Sequence, residues 1–381
     1  MKKNLPILLL LVSIAISCQH SKKTEPSRET KNKIYLGADL SYVNEIEDCG
    51  AYYQENGKKV EPYQFFKGKG CNLVRIRLWN DPKETPYSNF KDVKKSIQRA
   101  KQNGMEVLLD FHYSDTWADP SKQYIPAAWK DIKDNSILAD SLYNFTAYTL
   151  LKLHKDDLLP EMVQIGNETN SEILQPEGTH KENIDWKRNS LLLNKGIQAV
   201  RDVSKHLNKK IEIMLHIAQP ENAITWFEAA HKNNITDYDW IGISYYPLWS
   251  EIKFDKFPDA VKKLTTSYKK KLMVVETSYP FTMINIDKAN NVLTKKALLP
   301  EYPATPQGQK DYLINLTKLT LQSGGSGVVY WEPAWVTSSC KTLWGEGSHW
   351  DNATLFDNQN NNEALPGFEF FNLKNYSEIT K

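Results

Sequence analysis

One unit recurs along the chain: a short aliphatic run that ends in a polar or charged residue, followed by a longer stretch with helical spacing. The strand-like runs are Ile34–Asp39, Asn72–Trp79, Met105–His112, Met162–Glu168, Ile211–His216, Trp240–Tyr245, Leu272–Tyr279 and Gly327–Glu332. Most are close to continuously apolar, as strands covered on both faces are. Helices are predicted near Pro62–Gly68 and over Lys91–Asn103, Ser136–Lys155, Asn189–His206, Pro220–Asn233, Pro258–Lys269 and Pro306–Ser323. Asn56–Lys59 reads as a polar, turn-rich loop. Strands alternating with helices in this way predict an α/β fold, a single (β/α)8 TIM barrel over residues 34–375 with long loops at its C-terminal face. The competing doubly wound sheet would show a glycine-rich phosphate turn after an early strand, and the sequence has none.

The polar ends of these runs carry the candidate chemistry. Met162–Glu168 closes on Asn167-Glu168, and Leu272–Tyr279 contains Glu276. A lone Asn-Glu pair would serve equally well as a helix cap or a salt-bridge partner. A second glutamate at a second strand end of one repeating architecture is the arrangement a glycosidase needs. A retaining pair would stand ~5–5.5 Å apart and an inverting pair ~6.5–9.5 Å apart, a distance that the sequence leaves open. In the retaining case Glu168 is the protonated acid/base and Glu276 the ionised nucleophile. Arg75 and Tyr245 would hold Glu276 ionised by charge and hydrogen bonding, and Asn167 would bind the sugar 2-hydroxyl. Arg75 and Arg77 alternate with aliphatic residues, so they face a polar cavity or pair with acids such as Asp39 and Asp110. His112 and His216 close two further runs, and His216 reads as a satisfied core histidine. Trp331 suits a sugar platform at a strand end. The loop Tyr113–Trp129, with Asp115, Trp117 and Asp119, is placed along a cleft.

Composition removes several alternatives. Basic and acidic side chains number 48 and 46, for a net charge of +2, so nothing argues for nucleic-acid binding. No Gly-x-Ser-x-Gly elbow, HExxH motif or P-loop is present. Residues 1–17 read as a signal peptide, with Lys2-Lys3 before the apolar segment Leu5–Ile16. Cys18 after small residues resembles a bacterial lipobox, and the polar tract 18–33 would tether an exported, lipid-anchored protein at the cell surface or in the periplasm. Cys49, Cys71 and Cys340 are too few and too widely spaced for a disulfide framework or a zinc site. They read as one bridge or as buried small side chains.

Six segments then carry a family resemblance: Gly37–Val43 (GADLSYV), Val74–Pro82 (VRIRLWNDP), Leu109–Gln123 (LDFHYSDTWADPSKQ), Gln164–Asn170 (QIGNETN), Val274–Pro280 (VVETSYP) and Tyr330–Trp335 (YWEPAW). From Tyr35 to Phe370 the chain resembles the arabinogalactan endo-β-1,4-galactanases, glycoside hydrolases of the large retaining (β/α)8 clan. The resemblance implies retaining cleavage of β-1,4-galactan, with Glu168 as proton donor and Glu276 as nucleophile. It also implies a sugar subsite lined by Arg75, His112, Asn167, Tyr245 and Trp331, with Trp117 and Trp335 as further substrate contacts. No cofactor is required for that chemistry. Some members hold calcium in the loop after the seventh strand, but Asn285–Asn291 offers one acid and a lysine, a poor set for an ion that needs several anionic oxygens. The expected partner is the polysaccharide, with a membrane met only through the lipid anchor and the protein a monomer. Two alternatives stay open: the same mechanism on mannan or glucan, or a non-catalytic glycan-binding lipoprotein, which should have lost one of the two carboxylates.

Overall fold

Among the described residues of the computed structural model, which are Met1, 33–180 and 183–379, eight parallel strands close into a barrel. They are β1 (Tyr35–Asp39), β2 (Leu73–Leu78), β3 (Glu106–Phe111), β4 (Met162–Ile165), β5 (Glu212–Ala218), β6 (Trp240–Ser244), β7 (Lys271–Thr277) and β8 (Gly327–Tyr330). Each pairs with its sequence neighbour, and β8 closes on β1. The expected signal segment, Cys18 and the tether up to residue 32 lie outside the described residues.

The helices are α1 (Val43–Asp48), α2 (Pro62–Lys69), α3 (Phe90–Gln102), α4 (Asn135–Lys155), α5 (Trp186–Leu207), α6 (Pro220–Lys232), α7 (Phe257–Tyr268) and α8 (Pro306–Gln322). The starts of α3, α4, α5 and α8 are set by side chains that accept from the first free backbone N–H groups: Asn89, Asp134, Asp185 and Thr305. Asp185 caps α5 four residues ahead of Asn189, so that helix is longer at its start than its apolar spacing suggests. Among the elements not anticipated are the short α1 and a hairpin of Tyr53–Glu55 and Lys58–Val60 in the stretch read as loop; the hairpin turns on Asn56 (φ 53°) and Gly57 (φ 72°), both left-handed as a tight primed turn requires.

Strand parity sorts the barrel into two cores. Val74, Ile76 and Leu78 of β2, with Val107, Leu109 and Phe111 of β3 and their counterparts, face outward into the apolar layer beneath the helices. Inside lies a smaller apolar layer of Tyr35, Leu73, Leu108, Met162, Met214, Trp240, Met273, Val275 and Val329. Above it, toward the strand C-termini, the inward positions turn polar: Asp39, Arg75, Asp110, Gln164, His216 and Ser244, all buried. A disulfide between Cys49 and Cys340 (Cα–Cα 5.3 Å) ties the end of α1 to the loop after β8, and Cys71 is a buried free thiol.

Candidate active site

Arg75 is the hub of the polar layer. Its guanidinium donates to Asp39 (2.9 Å), Glu276 (3.0 Å), Asp110 (2.8 Å), Asn167 (2.6 Å) and Gln164 (3.3 Å) while only 2% exposed. It therefore pairs with the barrel acids and reaches the site as well. Arg77 pairs with neither Asp39 nor Asp110; its partner is Glu332 (2.8 Å), just past β8, and its guanidinium lies between the rings of Tyr42 (4.2 Å) and Trp117 (4.3 Å).

The two glutamates reach this layer by different backbone devices. β4 stops at Ile165; Gly166 (φ 84°) and Glu168 (φ 43°) then adopt left-handed conformations that turn Asn167 and Glu168 over the barrel mouth. A left-handed glutamate costs energy, and such residues cluster at functional sites. Glu276 lies within β7, where strict alternation after the inward Met273 would send it outward. A register shift intervenes: Ile243 pairs with Val274, but Ser244 pairs with Glu276. That bulge turns both Val275 and Glu276 inward.

An oxygen of Glu168 and an oxygen of Glu276 lie within 4.8 Å of each other. Burial raises the pKa of Glu168 well above the ordinary carboxylate value, and the neighbouring Glu276 raises it further. Burial also raises Glu276, to about 7, against the pull of Arg75 and of the Tyr246 hydroxyl, which donates at 3.0 Å. The expected lowering of Glu276 by Arg75 is therefore present but outweighed by desolvation. Of the two glutamates only Glu276 is hydrogen-bonded by the Arg75 guanidinium, whereas Glu168 accepts from a neutral donor, Ser244 Oγ at 2.5 Å. A single proton shared by the pair therefore resides on Glu168.

The tyrosine assignment needs correction. Tyr245 points outward, packs on Phe257 and donates to Ile252 O (3.3 Å); Tyr246 holds Glu276 and lines the cleft. Asn167 accepts from Arg75 through Oδ1 and donates to Ala118 O (2.8 Å) through Nδ2, leaving one amide hydrogen for the cleft. His112 lines the cleft, yet its nitrogens are engaged by Asp110 (3.1 Å), Trp79 Nε1 (3.2 Å) and Ala118 N (3.1 Å). Trp117 and Trp331 line the same cavity of about 830 Å³, with Trp350 edge-on to Trp331 at 4.6 Å. Trp335 also lines this cavity, although it is 1% exposed and stacks on Tyr42 (4.0 Å). The exposed rings at the rim are Trp249 and Trp344, both outside the sequence-based site. Tyr246, Ser244 and Glu332 were also missed; only their strand-end positions could have indicated them.

Neither plausible metal position fits a cation. Glu168, His216 and Glu276 converge, but both His216 nitrogens are already hydrogen-bonded, to Ser244 Oγ (2.8 Å) and Gln164 Nε2 (2.9 Å). In the loop after β7, Asp287 accepts from Ala289 N, Ser348 N and Thr337 Oγ1. Asp351 accepts from Asn291 Nδ2, Ile286 N and Asp287 N. Carboxylates filled by N–H and O–H donors do not make a calcium cage.

Two buried glutamates at the mouth of a (β/α)8 barrel, one beside an arginine and one beside a hydroxyl, under an aromatic cleft, define a glycoside hydrolase. The chain belongs to glycosyl hydrolase family 53, whose model matches residues 35–371. It is 56% identical to an arabinogalactan endo-beta-1,4-galactanase of Cellvibrio japonicus, over 88% of this chain and 90% of that one. An endo-beta-1,4-galactanase of Bacillus subtilis is 34% identical, over 93% and 89%. Among solved structures, the family 53 catalytic domain from Ignisphaera aggregans superposes with a TM-score of 0.81 at 32% identity, covering 90% of this chain and 96% of that one.

Proposed function

We propose that this glycoside hydrolase is an endo-β-1,4-galactanase, cleaving internal bonds of pectic galactan and type I arabinogalactan with retention of anomeric configuration. The closeness of the carboxyl groups carries the mechanistic part: an oxygen of each lies within 4.8 Å of an oxygen of the other, which favours the ~5–5.5 Å spacing of a retaining pair over the ~6.5–9.5 Å of an inverting one. The substrate part is supported by the activities for which the Cellvibrio japonicus and Bacillus subtilis relatives are named.

In the first half-reaction Glu168 gives its proton to the glycosidic oxygen while Glu276 attacks the anomeric carbon, forming a galactosyl ester and releasing the leaving chain. Arg75 and Tyr246 favour the ionised form of Glu276 against its burial and aim it. Asn167 offers its free amide hydrogen to the 2-hydroxyl, a contact that strengthens as positive charge develops. In the second half-reaction Glu168, now a carboxylate, takes a proton from water, which opens the ester. The Trp117 and Trp331 rings present flat apolar faces to the C–H faces of the sugars. We further propose that the protein is exported and lipid-anchored through Cys18, on the basic, apolar and small-residue sequence before it.

The test is galactan hydrolysis by the wild type, Glu168→Ala and Glu276→Ala, with azide as external nucleophile. Azide should rescue Glu276→Ala to an α-galactosyl azide and Glu168→Ala to a β-galactosyl azide. Hydrolysis of mannan or glucan in place of galactan would keep the mechanism and reject the substrate. Variants as active as the wild type would reject the mechanism.

A further inference from the structure

We propose that His216 and Ser244 form a one-way donor chain that ties down a single oxygen of Glu168, so that the other oxygen carries the proton delivered to the leaving group. The proposal rests on the reading of Glu168 as the acid. Ser244 and His216 are positioning residues: they act through Glu168 and not on the sugar.

The direction of the chain follows from groups whose hydrogen-bonding roles are fixed. Gln164 Oε1 accepts from Arg75 Nε (3.3 Å) and Gln164 Nε2 donates to Asp110 Oδ1 (2.8 Å). Arginine only donates and a carboxylate only accepts, so the Gln164 amide is oriented from both ends. Its Nε2 faces His216 Nδ1 at 2.9 Å, and the backbone N–H of Glu168 faces the same nitrogen at 3.4 Å. Asn167 Oδ1 also lies 3.0 Å from Nδ1, but it accepts from Arg75 (2.6 Å), and a ring hydrogen on Nδ1 would meet the backbone N–H of Glu168, whose direction is fixed. Two N–H groups directed at Nδ1 make it the acceptor. The ring hydrogen of this buried, neutral histidine is then on Nε2 and is donated to Ser244 Oγ (2.8 Å). With Oγ accepting from the ring, the one hydroxyl hydrogen of Ser244 goes to Glu168 Oε1 (2.5 Å).

Two consequences follow for catalysis. Oε1 is held as an acceptor, so protonation falls on Oε2. The chain also fixes the carboxyl rotamer of a residue whose own backbone is strained at φ 43°. Ser244 Oγ stabilises the ionised form of Glu168, the form needed to activate water in the second half-reaction, and thereby tempers the upward push of burial.

Ser244→Ala tests this, with Ser244→Thr as the hydroxyl-retaining control and aryl galactobiosides of graded leaving-group ability as substrates alongside galactan. The other groups acting on Glu168 are Glu276, Asp119 and Arg75, with the Tyr246 hydroxyl close by; Arg75 and His112 act on His216. None is altered by the substitution. Ser244→Ala should lower kcat/KM about tenfold on galactan and on poor phenol leaving groups, and by less than about threefold on a dinitrophenyl leaving group that needs little acid assistance. The alkaline limb of its pH profile should move up by about one unit, because a donor to the carboxylate has been lost. Ser244→Thr should restore both. A limb that moves down would mean the chain runs in reverse, from a Glu168 proton through Ser244 to His216, and would overturn the proposal. An unmoved limb with equal losses on all leaving groups would reduce Ser244 to a packing role and overturn it too. Glu168→Ala on the same substrates separates the two levels: a leaving-group-dependent loss there upholds the acid reading whatever Ser244 does, and its absence rejects that reading.

Discussion

Arg75→Lys is the substitution that most directly tests whether the polar layer works as one unit. The charge is kept; the planar fork is lost. Arg75 uses all of its donor capacity on five contacts: Gln164, Asp39, Glu276, Asp110 and Asn167. Lysine has three hydrogens on one nitrogen, so at best two contacts go unmade. At about 1.5–3 kcal/mol for each hydrogen bond to a charged group, the expected loss is about 3–6 kcal/mol, a large share of the ~5–15 kcal/mol available to a folded protein. Urea unfolding should show a lower midpoint with an unchanged slope, since the surface exposed on unfolding is the same. The acid limb of the pH–rate profile should also move up, because Glu276 loses part of the attraction that opposes its burial. A variant within about 1 kcal/mol of the wild type, with its acid limb in place, would refute the idea that Arg75 couples the barrel acids to the nucleophile.

Further outcomes follow from the same geometry. Tyr246→Phe removes the hydroxyl at 3.0 Å from Glu276 and should lower kcat about tenfold, whereas Tyr245→Phe should leave kinetics near the wild type; steady-state assays on galactan distinguish them. The wild-type kcat/KM profile should be bell-shaped, its acid limb set by Glu276 at about 7 and its alkaline limb by Glu168 above that. The same titration affects stability. With its pKa raised on folding, Glu276 holds a proton in the folded chain that the unfolded chain has released between ~4.3 and about 7, so its contribution falls as pH rises through that window. Cys340→Ser opens a bridge spanning 291 residues and should cost about 2–4 kcal/mol in urea unfolding. It should also raise KM, since Trp344 sits on the loop the bridge holds.

Most of the fold was legible because each barrel strand is a run of outward aliphatic residues with its polar residues gathered at one end. What stayed hidden depends on parity. On β6, Trp240 and Ser244 face inward, and continuing that alternation past the strand brings Tyr246 into the mouth and Tyr245 out against Phe257. The sequence holds that parity only for a reader who already knows which residue of the strand is inside, and two adjacent tyrosines give no other clue. β7 is harder. With Met273 inward, alternation puts Val275 and Thr277 inside and Glu276 outside, the wrong answer for the residue that matters most. The extra residue between the pairs Ile243–Val274 and Ser244–Glu276 corrects it. Thr277 consequently faces outward, where its hydroxyl donates to Tyr245 O and meets Tyr312 of α8. Nothing in Val274-Val275-Glu276-Thr277 announces a bulge, since it contains neither glycine nor proline. Register there is set by partner strands and by Arg75, which offers a buried Glu276 a partner on the inside that it would lack on the apolar outer face. Placing the glutamate in the mouth is therefore a tertiary decision, made by the cost of an unpaired buried charge and invisible to local propensity.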